Sequence, residues 1–214
     1  MTGAYKPLQD DFAAVYSQLL IAASLLLAAY QDVRERAVTD LVWLGGAAGV
    51  ILVIVLTDVS IVILGKVALI GLITLAFTKF GSIGQADAIA FIVISADPYP
   101  FSPVPALVAT SVVAAIHIAY LFAKRYTGKD IQISLEQFRV EQRWIPRALI
   151  KNGVRSEIVR NVNTARDDVL KEAGEGDLVL VSYGVPTVAY LGIGYAAFIV
   201  YLLVFDLGTF LALP

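Results

Sequence analysis

Two aspartates stand where an acidic side chain needs a reason. Asp87 closes the stretch Gly81-Ser82-Ile83-Gly84-Gln85-Ala86-Asp87, between the apolar runs 61–77 and 88–94. Asp32, in Tyr30-Gln31-Asp32-Val33-Arg34-Glu35-Arg36, ends the first apolar run. A carboxylate at the edge of a low-dielectric slab is costly, and an ionisable group kept there marks a functional site. Two carboxylates at one level of a bundle resist double ionisation and can share a proton. The ionised one would take a proton from water, and the protonated one would donate to a peptide carbonyl oxygen. That is aspartic-protease chemistry, and it asks for neither a metal nor a nucleophilic side chain. Such a pair titrates as a unit. Helix dipoles lean towards Asp87, at a helix N-terminus, as the anion and Asp32, at a helix C-terminus, as the acid. Glycines at 81 and 84 leave the backbone free to turn and let another chain approach.

The elements that must position these groups are membrane helices. The 214 residues are 58% hydrophobic and only 16% charged, with a mean hydropathy of +0.78, where a soluble domain is about 25% charged. The length suits one bundle. The absence of cysteine excludes disulfides, zinc–thiolate sites and cysteine nucleophiles. A single histidine argues against a His-built metal cluster, and no cofactor or nucleic-acid partner is expected. Residues 1–11 lack the basic segment and small-residue cleavage site of a signal peptide, so the first apolar run is read as a retained helix.

A spanning helix takes about 20 mainly apolar residues. Six candidates follow in order: 12–30, 41–56, 59–78 with Lys66 as its one charge, a short helix over about 86–96, 104–123, and 185–205 with Pro186 near its start. The expected fold class is therefore an all-α membrane protein, a six-transmembrane-helix bundle with a small cytosolic insertion between helices five and six. The corresponding division is a membrane bundle at 1–123, the insertion at 124–182, and the sixth helix with the C-terminus at 183–214. Within the insertion, 135–151 and 154–172 read as amphipathic helices. Residues 177–183 read as a short strand or lead-in, and no self-sufficient core is evident. Arg34, Arg36 and Lys79 follow spans one and three, and most other basic residues fall between Lys124 and Lys171. Asp10, Asp11, Asp58, Asp97 and Asp206 mark the opposite ends. Positive-inside topology then puts both termini outside, and Asp32 and Asp87 at the cytosolic face of a multi-pass cell-membrane protein.

With those features together, Gln31-Asp32-Val33-Arg34-Glu35-Arg36, then Asp40 and Trp43, and a Gly-x-Gly-Asp-like motif at 84–87 resemble the archaeal preflagellin and prepilin peptidases. These are GxGD-type membrane aspartyl proteases related to bacterial type IV prepilin peptidases. The resemblance covers nearly the whole chain, including Ser182-Tyr183-Gly184-Val185-Pro186 at the entry to the last span. One position departs: Ala86 stands where the motif has its second glycine. The resemblance implies that Asp32 and Asp87 are catalytic, with Gln31, Arg34 and Asp40 as site neighbours. It also implies cleavage of class III signal peptides on archaellin and pilin-like precursors, between a basic leader and a hydrophobic segment. Neither cysteines nor a nucleotide-binding glycine pattern is present, so no methyltransferase activity is expected.

The remaining singular residues have plainer expectations. Asp40 caps the second span, Arg34 and Arg36 report topology, and His117 is hydrogen-bonded inside the bundle. Lys66 snorkels to the outer interface. Gly45, Gly46, Gly49, Gly192 and Gly194 mark close helix packing. Glu136, Glu141, Glu157, Asp167 and Asp168 either hold the basic leader or keep the insertion solvated. Two other functions stand beside this one: a proton-coupled transporter with the Asp pair as a relay, and a non-enzymatic membrane anchor for the insertion, which makes the Asp32 motif and the 81–87 stretch coincidences.

Overall fold

The computed structural model describes residues 7–56, 61–80, 83–99, 103–124, 130–157 and 162–211. Gly81, Lys6 and Asp58 lie outside the described residues. The chain forms two compact units, Met1–Asp32 with Ala37–Val113 and Thr187–Pro214, and Val33–Arg36 with Ala114–Pro186.

The first unit is helical. Its elements are α1 (Pro7–Glu35), a 3₁₀ turn (Asp40–Val42), α2 (Trp43–Leu56), α3 (Ile61–Lys79), α4 (Gln85–Ser95), the first half of α5 (Val104–Ala123) and, numbered in chain order, α8 (Thr187–Leu211). Among the described residues, three helices are long and apolar enough to cross a membrane: Ala14–Glu35, Val104–Ala123 and Thr187–Phe205. The helix expected from the sequence as a fourth span is different. α4 has 11 residues and so measures about 16 Å, roughly half of a hydrocarbon core about 30 Å thick.

α4 packs on α2, α3 and α8. Ile21, Leu25 and Ala28 of α1, Ala90, Val93 and Ile94 of α4, and Val188, Leu191, Tyr195 and Phe198 of α8 form one buried cluster. Small residues let these helices meet at backbone distance. A Cβ on Gly192 would lie 2.6 Å from the Leu25 carbonyl oxygen, and one on Gly49 would lie 2.9 Å from that of Ser17. Gly45 and Gly46 face Ser24, and Gly194 faces Thr110, so the expected packing glycines all sit against a neighbouring helix.

The second unit corrects the all-α expectation. It contains β1 (Ile131–Ser134), α6 (Leu135–Val140), β2 (Trp144–Lys151), β3 (Val154–Glu157), α7 (Val162–Glu172) and β4 (Leu178–Tyr183). The strands make an antiparallel sheet in the order β1-β4-β2-β3. Residues 135–151 and 154–172 are therefore not continuous amphipathic helices, although Val162–Glu172 of the second is helical. Asn152 and Gly153 both have positive φ, 49° and 79°, the left-handed pair that closes a two-residue hairpin. Pro146, which has no N–H to give, sits beside the β2 bulge and beyond the reach of β3, whose pairing begins at Ala148. The unit also has a core, contrary to expectation. Ile133, Phe138, Trp144, Leu149, Val169, Val179 and Val181 bury one sheet face under α6 and α7. Residues 178–183 form a strand, one of the two states expected for them.

Candidate functional site

Asp87 occupies the first turn of α4. Gly84 precedes that turn in extended conformation, with φ −71° and ψ 157°, and its N–H donates to Asp87 Oδ2 at 3.2 Å. An acid at this position satisfies one of the N–H groups that a helix start leaves without a partner. The bond also holds the carboxylate back over the Gly84 backbone. A Cβ on Gly84 would sit 3.2 Å from the same oxygen, so the glycine keeps room for the carboxylate. Ala86 packs against the buried cluster of the first unit. Its methyl has a place in that cluster, which explains locally how an alanine fits where the motif has glycine.

Asp32 lies in the last turn of α1, and its Oδ2 accepts the N–H of Ala189, in the first turn of α8, at 3.2 Å. The dipole expectation drawn from α1 alone therefore does not hold for this residue. Its carboxylate meets the positive end of α8 as well as the negative end of α1. Asp32 and Asp87 are near enough for their charges to act on one another, and both are half-buried. Two carboxylates 55 positions apart in sequence thus each meet a helix N-terminus through a backbone donor, within reach of each other's charge.

The neighbours divide. Gln31 Oε1 accepts from the Thr39 N–H at 2.9 Å and the Thr39 hydroxyl at 3.2 Å, tying the end of α1 to the start of the 3₁₀ turn. Asp40 is exposed in the first turn of that helix. In the second unit, Arg34 is exposed, while Arg36 adopts φ 53° and places its guanidinium over the Tyr183 ring at 5.6 Å. Its Nη2 donates to the Tyr183 hydroxyl at 3.4 Å. His117 stacks near Tyr120 and meets Tyr183 edge-on. Of the acids considered for a basic leader, Glu141 accepts from Trp144 Nε1 and pairs with Arg143, both at 2.6 Å, and Glu157 lies 3.5 Å from Arg155. Among the described residues, no three His, Asp or Glu side chains gather as a metal ion would need.

Sequence reasoning missed a second carboxylate centre. Asp97, taken from its position as a marker of a membrane edge, is 0% exposed. Its Oδ2 accepts from the Tyr195 hydroxyl at 2.5 Å, and its Oδ1 accepts from the Tyr99 N–H at 2.7 Å and Gln18 Nε2 at 3.3 Å. Lys66 is half-buried and reaches the chain just beyond α4. Its Nζ donates to the carbonyl oxygens of Asp97 at 2.9 Å and Tyr99 at 3.1 Å. The available signal was one lysine inside one apolar run and one aspartate closing the next, both polar groups that need partners there. No family model matches the chain, and no curated protein or solved structure is found to match it.

Proposed function

We propose that this chain is a membrane aspartyl endopeptidase that cuts the class III signal peptide from archaellin- or pilin-like precursors. The observation that carries the proposal is that Asp32 and Asp87 are each fixed by a backbone N–H at a helix start, within reach of each other's charge. With one proton between them, the ionised carboxylate takes a proton from water as its oxygen attacks the peptide carbonyl carbon. The other gives its proton to the carbonyl oxygen, forming a neutral gem-diol. The first carboxylic acid then gives its proton to the amide nitrogen while the other carboxylate takes one from a diol hydroxyl, so that the C–N bond breaks, a carboxylic acid and an amine leave, and one proton remains on the pair. The glycine at 84 leaves room beside Asp87 for an extended substrate backbone. The motifs at 31–36 and 84–87 resemble those of the preflagellin and prepilin peptidases, and the basic residues favour a cytosolic site with α1–α5 and α8 in the bilayer.

The test is cleavage of a precursor that carries a basic leader before a hydrophobic helix, in membranes holding wild type, Asp32→Asn or Asp87→Asn. The expected result is a shift in precursor mobility with wild type and none with either variant at equal expression. A variant that cuts at the wild-type rate rules out the dyad. A proton-coupled transporter is the second proposal, favoured by Asp97. A carboxylate ten residues along α4 from Asp87, about 15 Å away, provides a further buried station for a relay. Substrate accumulation in proteoliposomes driven by an imposed pH gradient, without precursor cleavage, would select it.

A further inference from the structure

α4 is short and carries an aspartate near each end, with Asp87 in its first turn and Asp97 two residues past its last. In a bilayer a helix of this length cannot reach both interfaces, so it is not held by its ends in water. Something inside the bundle must fix it. At its C-terminal end, four helices converge on one residue. Gln18 reaches Asp97 from α1, Tyr195 from α8 and Lys66 from α3, and Asp97 closes a turn on its own Tyr99 N–H. Lys66 also supplies the cation that a helix C-terminus favours and satisfies two carbonyls just beyond it. The charge of its ammonium acts on the Asp97 carboxylate. A buried acid this fully engaged costs much to disturb, because removing it leaves buried donors without an acceptor.

We infer that Asp97, with Lys66, Tyr195 and Gln18, is a positioning clamp that fixes α4 against α1, α3 and α8 and thereby holds Asp87 at Asp32. The link to catalysis rests on the endopeptidase proposal; the clamp itself does not. Helix rigidity carries the effect, since Asp87 and Asp97 bracket one continuous α4 whose middle, Ala90, Val93 and Ile94, is in the buried cluster. Asp97 touches no reacting atom in this scheme.

The absence of cysteine allows a clean test. A single Gln85→Cys reporter at the start of α4 is alkylated in membranes with a small maleimide, with Asp97 intact or as Asp97→Asn, and precursor cleavage is measured in parallel without the reporter. The clamp requires at least a threefold faster alkylation with Asp97→Asn, and a fall in kcat of tenfold or more with KM within twofold. Tyr195→Phe keeps the ring in the core and removes one donor; it should move both readouts in the same direction by a smaller factor, and it serves if Asp97→Asn does not accumulate. Lys66→Met combined with Asp97→Asn removes the two bonds to the carbonyls beyond α4 as well and should raise alkylation at least as far as Asp97→Asn alone. Alkylation unchanged in both Asp97→Asn and Tyr195→Phe overturns the clamp, whatever the cleavage result. Faster alkylation in a protein whose wild type never cuts precursor upholds the clamp and removes the endopeptidase proposal instead.

Discussion

The two ends of α4 set the same functional group in opposite circumstances. At the N-terminal end, Asp87 is half-buried, accepts the Gly84 N–H, and faces a like charge on Asp32. At the C-terminal end, the Asp97 carboxylate is fully buried and accepts from a tyrosine, a glutamine and a backbone N–H, while a lysine bonds its backbone carbonyl. Several buried donors make a carboxylate part of the scaffold, and any change to it leaves buried groups unsatisfied. Like charge beside a partly open surface keeps a proton in play, which is what acid–base chemistry needs. Burial by itself would have ranked Asp97 as the more singular residue, whereas the number of its donors assigns it to structure.

The largest expected effects lie in exchanging the two roles. Asp87→Asn should lower precursor cleavage by roughly 10³-fold, within the 10²–10⁴ span of a general acid or base. Its thermal stability should move little, since the single hydrogen bond is worth about 0.5–1.5 kcal/mol. Asp97→Asn should reverse that order, with a stability loss of about 1–3 kcal/mol from the donors it leaves unsatisfied. Detergent-solubilised unfolding followed by circular dichroism, beside the cleavage assay, separates the two. Equal destabilisation by both substitutions would erase the distinction between the ends of α4.

The legible and illegible parts of the chain divide on similar physical lines. α1, α5 and α8 are visible because long uninterrupted apolar runs have one use. Asp32 and Asp87 stand out because each follows or precedes such a run. The Asp97 cluster is hidden because its partners come from far away, Gln18 at a separation of 79 residues and Tyr195 at 98, and nothing local ties them. The sheet of the second unit was missed for a different reason. β2 and β3 carry Arg147, Lys151, Arg155 and Glu157 among apolar residues, a mixture that fits a helix face as well as a strand. The decisive signal was Asn152-Gly153, whose left-handed backbone reverses the chain and forbids one helix from running through.

A smaller effect tests whether the bundle around α4 depends on close packing as well as on charge. Gly192→Ala would push a methyl to 2.6 Å from the Leu25 carbonyl oxygen, forcing α8 from α1 at a cost of about 1–3 kcal/mol. Gly65, in α3, has no described atom within 4 Å of an added Cβ, so Gly65→Ala should stabilise by about 0.5–1 kcal/mol through helix propensity. Because α8 carries both Ala189 at Asp32 and Tyr195 at Asp97, Gly192→Ala should weaken cleavage and stability together. A change confined to stability would mean that α8 can shift without moving Asp32.

The smallest expected effect sharpens the N-terminal end. Gly84 has an extended backbone that any residue adopts, so Gly84→Ala carries no φ strain. Its methyl would, however, stand 3.2 Å from Asp87 Oδ2, closer than carbon and oxygen ordinarily pack, and the carboxylate must give by a few tenths of an ångström. Alanine is also a poorer N-cap than glycine, by about 0.5–1 kcal/mol. The expected outcome is a modest stability loss of that size with a drop in kcat of roughly tenfold, since small misplacements of a reacting group are costly. Gly84→Ser separates the causes: serine restores the cap while keeping the added Cβ. If Gly84→Ser recovers stability but not kcat, crowding of Asp87 is responsible. If it recovers both, Gly84 matters only as the start of α4, and the room beside Asp87 has no part in the chemistry.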